Sequence, residues 1–300
     1  MAQRTMEQAA AGGQLGQQIQ RRLKSTGRLA RSQPLGTIGF LICAIILLMA
    51  VFAPLVQRYS PTKVDPYAPA LAPSAQHWLG TDEFGRDMYS RMVHGARISL
   101  YVAFFSIFLG TSGGYLLGLV SGYVGGRVDL VLQRFIDAML SFPSLLLALA
   151  MVSVFTPGVD KVIFAISITF VPRAARIGRG VAMSVKENVY IDAARVIGAS
   201  PTRVLLRHVL PNSMAPYLIL ASVGLGAAIL VEASLSYLGL GVPPPDPSWG
   251  RMLSGYAQTR MLAAPWMVII PGSAIMLLVL GFNLLGDSVR DIWDPRLRGR

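Results

Sequence analysis

An all-α membrane protein with six transmembrane helices is the fold that the sequence predicts, and three observations lead there. Of the 300 residues, 53% are hydrophobic and only 14% are charged, whereas soluble domains sit near a quarter charged. Mean hydropathy is +0.52, and apolar runs near the ~20 residues needed to cross the hydrocarbon recur along the chain. Lys and Arg cluster between those runs, so the net charge of +12 reads as orientation in a bilayer rather than nucleic-acid binding.

The predicted spans are 35–56, 98–121, 135–155, 160–177, 214–238 and 266–286. The fourth is short and the fifth contains an acid, Glu232. Residues 1–34 form a tail ahead of a membrane domain, 35–300. A polar tail this long argues against a cleaved signal peptide. Its basic end, "RRLKSTGRLARSQ", suits anionic lipid headgroups. Arg21 to Arg31, Arg127, Arg134, Arg173 to Lys186, Arg195, Arg203, Arg207 and Arg290 to Arg300 gather on one side. That side is the cytoplasm by the positive-inside rule, so both termini and the loop 178–212 are cytoplasmic and the loop 57–97 is external.

Within the second span Gly110, Gly114, Gly118 and Gly122 recur every four residues. They share one helix face and permit a close helix crossing. The single Cys43 excludes a disulfide framework and reads as a small buried hydrophobe.

The polar stretch "VYIDAARVIGASPTRVLLRHVLPN", Val189 to Asn212, interrupts the apolar pattern. Val189 to Ile197 has no helix breaker. Gly198 is a natural helix stop, since glycine takes the left-handed conformation at little cost. Ser200 caps a second helix with Pro201 at its first position, and Pro211 ends or kinks it. Two helices of about ten residues are marginal alone in water. A partner or the chain's own bundle must therefore cover Ala193, Ala194 and Ile197 together with Val204, Leu205 and Val209.

In the first external loop, Thr81 to His94 reads as a helix capped by Thr81 or Asp82, with Asp82–Arg86 and Asp87–Arg91 pairs four residues apart. A solvated amphipathic helix at the interface is one reading of it. Glu232 is the one acid well inside an apolar run, where such residues face a packing network or a water-filled path. Asp137 and Asp287 lie near helix ends, and His77, His94 and His208 have no metal-ligand spacing. No G-x-x-x-x-G-K-[ST] occurs, so any ATP chemistry belongs to another polypeptide. No catalytic residue and no metal site is expected.

"DAARVIGASPTRVLLRHVLPN" resembles the EAA loop of importer-type ABC transporter permeases, through Asp192, Ala193, Ala194, Gly198, Leu210 and Pro211. Asp192 replaces the commoner Glu and keeps its charge. "HWLGTDEFGRDMYSRMVHGARISL", "EASLSYLGLGVPPPDPSWGRML" and "NLLGDSVRDIWDPRLRGR" resemble the permeases of dipeptide, oligopeptide and nickel importers, closest to the C-type partner of a B/C pair.

The resemblance implies a type I importer permease bundle (MetI-like) in a bacterial inner membrane. It implies a coupling loop of Asp192, Ala193, Ala194, Ile197, Gly198, Ser200, Pro201, Leu210 and Pro211. It also implies a second homologous permease subunit, two ATP-binding subunits carrying ATP and Mg2+, and an external solute-binding protein. Asp82, Glu83, Arg86 and Asp87 would then contact that binding protein, and Glu232 would stand on the translocation pathway. A secondary transporter or channel working without an ATPase is the alternative, and it would require charged pairs buried across several spans.

Overall fold

A computed structural model describes residues 33–255, 259 and 261–293. The basic tail and the final Asp294 to Arg300 stretch, both used in the sequence argument, lie outside the described residues. Among the described residues the main helices are α1 Pro34–Val51, α2 Met88–Val124, α3 Gly126–Leu140, α4 Ser144–Val154, α5 Val159–Lys186, α6 Val189–Val196, α7 Pro201–Val204, α8 Met214–Tyr237 and α9 Trp266–Trp293. Among the described residues the only β feature is an isolated bridge between Thr81 and Asp87.

The centre of the bundle is the pair α2 and α5. A Cβ at Gly110, Gly114, Gly118 or Gly122 would run into the carbonyl oxygens of Ser167, Val171, Ala175 and Arg179 respectively. Both series advance by four, so the two helices run parallel and in step for twelve residues, about 18 Å at 1.5 Å per residue. Only glycine lets two backbones approach this closely, which is the tight crossing the stripe predicts. On the other side α1 packs along α9, and α9 and α2 both flank α8.

Two parallel neighbours fix what lies between them. The chain must travel back across the bundle between Val124 and Val159, and α3 with α4 is that return. The two are bent by 94° at a short break, where Ser141 and Phe142 precede Pro143. A residue before proline is steered out of the helical region, so the single span 135–155 is observed as two helices.

Among the described residues four helices are long and apolar enough to cross a membrane, or five if the bent pair is one span. The fourth predicted span, 160–177, falls in α5, which is not among those helices but runs parallel to α2, and it continues past 177 to Lys186 because its charged second half is still helical. There Ala174, Ala175, Gly178 and Ala182 are buried against α2 while Arg173 and Arg176 point outward.

α2 also begins earlier than 98. Its first turns look polar in sequence, yet Met88, Met92, Val93 and Ala96 are buried. They lie under loop 57–87 and under Trp249, whose indole Nε1 donates to the Met92 carbonyl at 2.9 Å. The helix expected from Thr81 is a loop up to Asp87. Gly85 turns it with φ +73°, and Asp87 supplies the actual cap by accepting from the Ser90 amide at 2.8 Å. At the other end of α2 a second core forms from Tyr115, Leu119 and Tyr123 with the hairpin residues Ile191, Ala194, Val204 and Val209.

The glycine register is directly testable. Gly118→Leu should abolish recovery of monodisperse protein from detergent, since overpacking a filled contact costs about 1–3 kcal/mol or more. Gly113→Ala, with nothing within 4 Å of its new Cβ, should leave the yield unchanged in the same size-exclusion assay.

Candidate functional site

The hairpin at the C-terminal end of α2 is built by local rules. Gly198 takes φ +86°. Its amide donates to Arg195 O at 2.9 Å, and the Ala199 amide donates to Ala194 O at 3.0 Å. These two bonds are the Schellman closure of α6. Ser200 Oγ then accepts from the Arg203 amide at 3.4 Å with Pro201 in the first turn of α7.

Leu205–Val209 opens into a π turn before the chain continues through Pro211 to Asn212. Proline has no N–H, and its ring would strike the carbonyl four residues back, that of Arg207. Widening the helix there relieves the clash. Pro211 thus kinks the segment without ending it.

The hairpin has two apolar faces. The inner face is Ile191, Ala194, Val204 and Val209, buried against Tyr115, Leu119, Tyr123 and Ala182. Lys186 Nζ donates to the Tyr123 carbonyl at 3.0 Å, and Asn212 Nδ2 donates to the Tyr190 hydroxyl at 3.3 Å. The outer face is Val189, Val196 and Ile197, which are 83%, 86% and 84% exposed, with Leu206 beside them.

The expectation that Ala193, Ala194 and Ile197 share a side is corrected. Ala194 turns inward with Ile191, three residues before it. Ala193 is exposed, and Ile197 at the cap residue leaves the inner stripe where the chain turns. Burying a branched aliphatic side chain stabilises by roughly 1.5–3 kcal/mol, so three of them held in water form an adhesive surface. The flanking Asp192–Arg195 pair (3.1 Å) is exposed and contributes little. Next to the hairpin, ion pairs Arg179–Asp129 (2.6 Å) and Arg176–Asp137 tie α5 to α3.

At the opposite end of α2, the acids expected to face a partner are largely internal. Asp82 accepts from the Phe84 and Arg86 amides, both at 2.9 Å, and from Arg86 Nε at 2.6 Å. Its Oδ2 also lies 3.2 Å from Arg91 Nε. Asp87 caps α2 and meets His77 Nδ1 at 2.9 Å, so the expected Asp87–Arg91 pair does not form. Both carboxylates are buried. They lock the loop onto α2, with Asp82 reaching the surface only at the cavity that Glu83 and Arg86 also line, and the solvated amphipathic helix is not observed.

Glu83 and Arg86 line a cavity of about 430 Å³ together with Phe84 and Arg251. Burial, and then the adjacent Asp82, push the Glu83 carboxyl above the usual carboxylate range, partly offset by its own backbone amide and by Arg86 and Arg91.

Glu232 is 1% exposed. Its oxygens accept from Ser236 Oγ at 2.8 Å and Ser99 Oγ at 3.2 Å. Ser99 Oγ in turn accepts the Trp249 amide at 3.3 Å, and Ser248 Oγ donates to Ser236 at 3.3 Å. Of the two roles left open by the sequence, this geometry is that of a packing network, joining α8, α2 and the loop before α9. Sequence reasoning passed over Trp249 and the serines around it. The signal was a Ser-Trp-Gly following a proline run, with Ser248 capping the turn Trp249–Met252.

Comparison with known proteins places these features. The family described as binding-protein-dependent transport system inner membrane component matches residues 114–299. The N-terminal TM domain of oligopeptide transport permease C matches residues 22–73. The chain is 43% identical to the dipeptide transport system permease protein of Alkalihalophilus pseudofirmus, covering 89% of this chain and 88% of that one. It is 38% identical to a probable D,D-dipeptide transport system permease protein of Escherichia coli, over 91% of each. It is 44% identical to a glutathione transport system permease protein of Pectobacterium atrosepticum, over 75% of each. Among solved structures, a chain of the inward-facing MetNI methionine ABC transporter superposes with TM-score 0.57 at 20% identity, covering 69% of this chain and 98% of that one. That likeness shows the fold.

Replacing the buried acid separates network from pathway. Glu232→Leu leaves buried hydroxyls unpaired at about 1–3 kcal/mol each, so the unfolding midpoint in detergent should fall by several degrees. Glu232→Gln, which keeps shape and one acceptor, should stay near the parent in the same scan.

Proposed function

The chain belongs to the family of binding-protein-dependent transport system inner membrane components, and on that footing we propose that it is the permease subunit of an ATP-driven importer of peptides or similarly small solutes. The observation that carries the coupling role is the outer face of the hairpin. Val189, Val196 and Ile197 stand in water while the inner face of the same hairpin is already satisfied by α2 and α5.

A groove on an ATP-binding subunit would cover that outer face. The second permease subunit completes the pore, and an external solute-binding protein delivers the cargo. ATP and Mg2+ reside on the ATP-binding subunits, so this chain makes and breaks no bonds. The membrane is the bacterial cytoplasmic membrane, with the hairpin and both termini on the cytoplasmic side.

In this mechanism nucleotide state decides how far apart the two ATP-binding subunits sit, and each hairpin follows its subunit. The inner face passes that movement to α2 and α5, whose ends it touches. Transport is then a population shift between outward- and inward-open bundles, each favoured by a different nucleotide state. The ion pairs between α3 and α5 carry the broken return span along with α5.

Three variants test the coupling surface in the intact complex. Val196→Asp with Ile197→Asp should weaken retention of the ATP-binding subunit about thirtyfold, the factor that ~2 kcal/mol for an interface anchor corresponds to, while the two permease subunits still co-purify. Gly198→Val should behave similarly, because a β-branched residue resists positive φ. Arg203→Gln, on the solvated side, should transport normally. Retention of the ATP-binding subunit by both severe variants would reject the coupling role. Cysteines replacing Ser74 and Ser200, at opposite ends of α2, should label from opposite sides of the membrane.

A further inference from the structure

Arg97, like Arg127, Arg134 and Arg173, has no side-chain partner among the described residues, and it differs from them in heading an apolar crevice. It is exposed and, among the described residues, makes no hydrogen bond and no ion pair. It also marks a boundary, because no charged residue follows it on α2 and the next in the chain is Arg127 on α3. A guanidinium at the edge of a bilayer-facing apolar run is costly unless it reaches headgroups or meets an anion.

Arg97 heads a crevice of about 460 Å³ between α1, α2, α8 and α9, whose apolar lining includes Leu47, Val51, Leu100, Phe104, Leu225 and Phe282. The crevice runs along α2 from Arg97 to Phe105, eight residues or about 12 Å. That is close to the depth of one leaflet in a hydrocarbon core of about 30 Å. Tyr101, one turn below Arg97, half-exposed in the same lining, places an amphipathic ring where such rings collect at membrane interfaces.

We propose that this crevice is a binding site for one glycerophospholipid of the leaflet at the α2 N-terminal end, with its phosphodiester on Arg97 and an acyl chain against Leu100, Phe104 and Phe282. The chemistry is complementary at both ends. A guanidinium fork matches a phosphate oxygen pair, and the lining beneath carries no second charge. A neighbouring crevice of about 360 Å³ continues past Phe104 and Leu225 toward Tyr217 and Val289. It has no cation to fix a headgroup, so the site ends with the first crevice. The rival occupant is a helix of the second permease subunit, which would have to bring a carboxylate to Arg97.

The site requires only that the chain cross a bilayer, so it stands or falls separately from the transport reading. Membranes holding the complete complex are loaded with phosphatidylglycerol bearing a diazirine in one acyl chain, illuminated, and the labelled peptides are mapped by mass spectrometry. Label should concentrate on residues 97–105 and around Leu225 and Phe282. Arg97→Gln should cut it about fivefold, the factor for ~1 kcal/mol per interfacial cation. Arg97→Lys should retain most of it, and Leu225→Trp, which fills the crevice, should cut it with Arg97 intact.

Label spread evenly over the lipid-facing helices, with no enrichment at the crevice residues and unchanged in Arg97→Gln, would overturn the proposal. So would disulfide capture of Tyr101→Cys by the second permease subunit with the crevice unlabelled. ATP-dependent uptake by the same membranes reports on the importer reading alone.

Discussion

The close approach of α2 to α5 is the contact on which the rest of the bundle depends. Four glycines at a spacing of four meet four carbonyls at the same spacing, so the pair has one register and one direction. That direction forces the chain to return between them and makes α3 with α4 a crossing in spite of its bend. In a bilayer, where lipid tails compete for apolar side chains, such backbone proximity replaces the hydrophobic drive that holds soluble helices together. The remaining helices then join a pair that is already fixed.

Two polar caps sit on the ends of that pair, and they are built in opposite ways. The cap around Asp82 and Asp87 turns its charges inward and uses them as fasteners for a loop that has no regular structure of its own. The hairpin turns its charges outward and fastens itself with aliphatic side chains. Its spare apolar residues, Val189, Val196 and Ile197, are surplus to its own packing. A short helix pair gains nothing in stability from holding them in water.

Much of this was legible in the sequence because it rests on local chemistry. The glycine stripe, the Gly198 turn, the Ser200 cap and the Pro211 kink each follow from one residue's conformational preference, and all four appear. What was not legible depends on long-range partners. Asp82 and Asp87 looked like solvated acids of an amphipathic helix, because nothing in the local pattern shows Arg91 and His77 folding back onto them. The first turns of α2 looked too polar to be buried, because the cover comes from Trp249, more than 150 residues away. Ile197 was grouped with Ala193 and Ala194 on one side of a continuous helix, whereas the helix ends at Val196 and the three do not share a face.

One further consequence lies in the length of α2. Its 37 residues make an unbroken rod of about 55 Å, pinned at one end under the Asp82 loop and at the other under the hairpin. A rod of that length behaves as a lever. Tilting it by about 5° about one end carries the other through roughly 5 Å, close to one helical turn. The two caps are therefore mechanically one object. A push on either reaches the far side of the membrane through the rod itself, with α5 carried along by the glycine contacts.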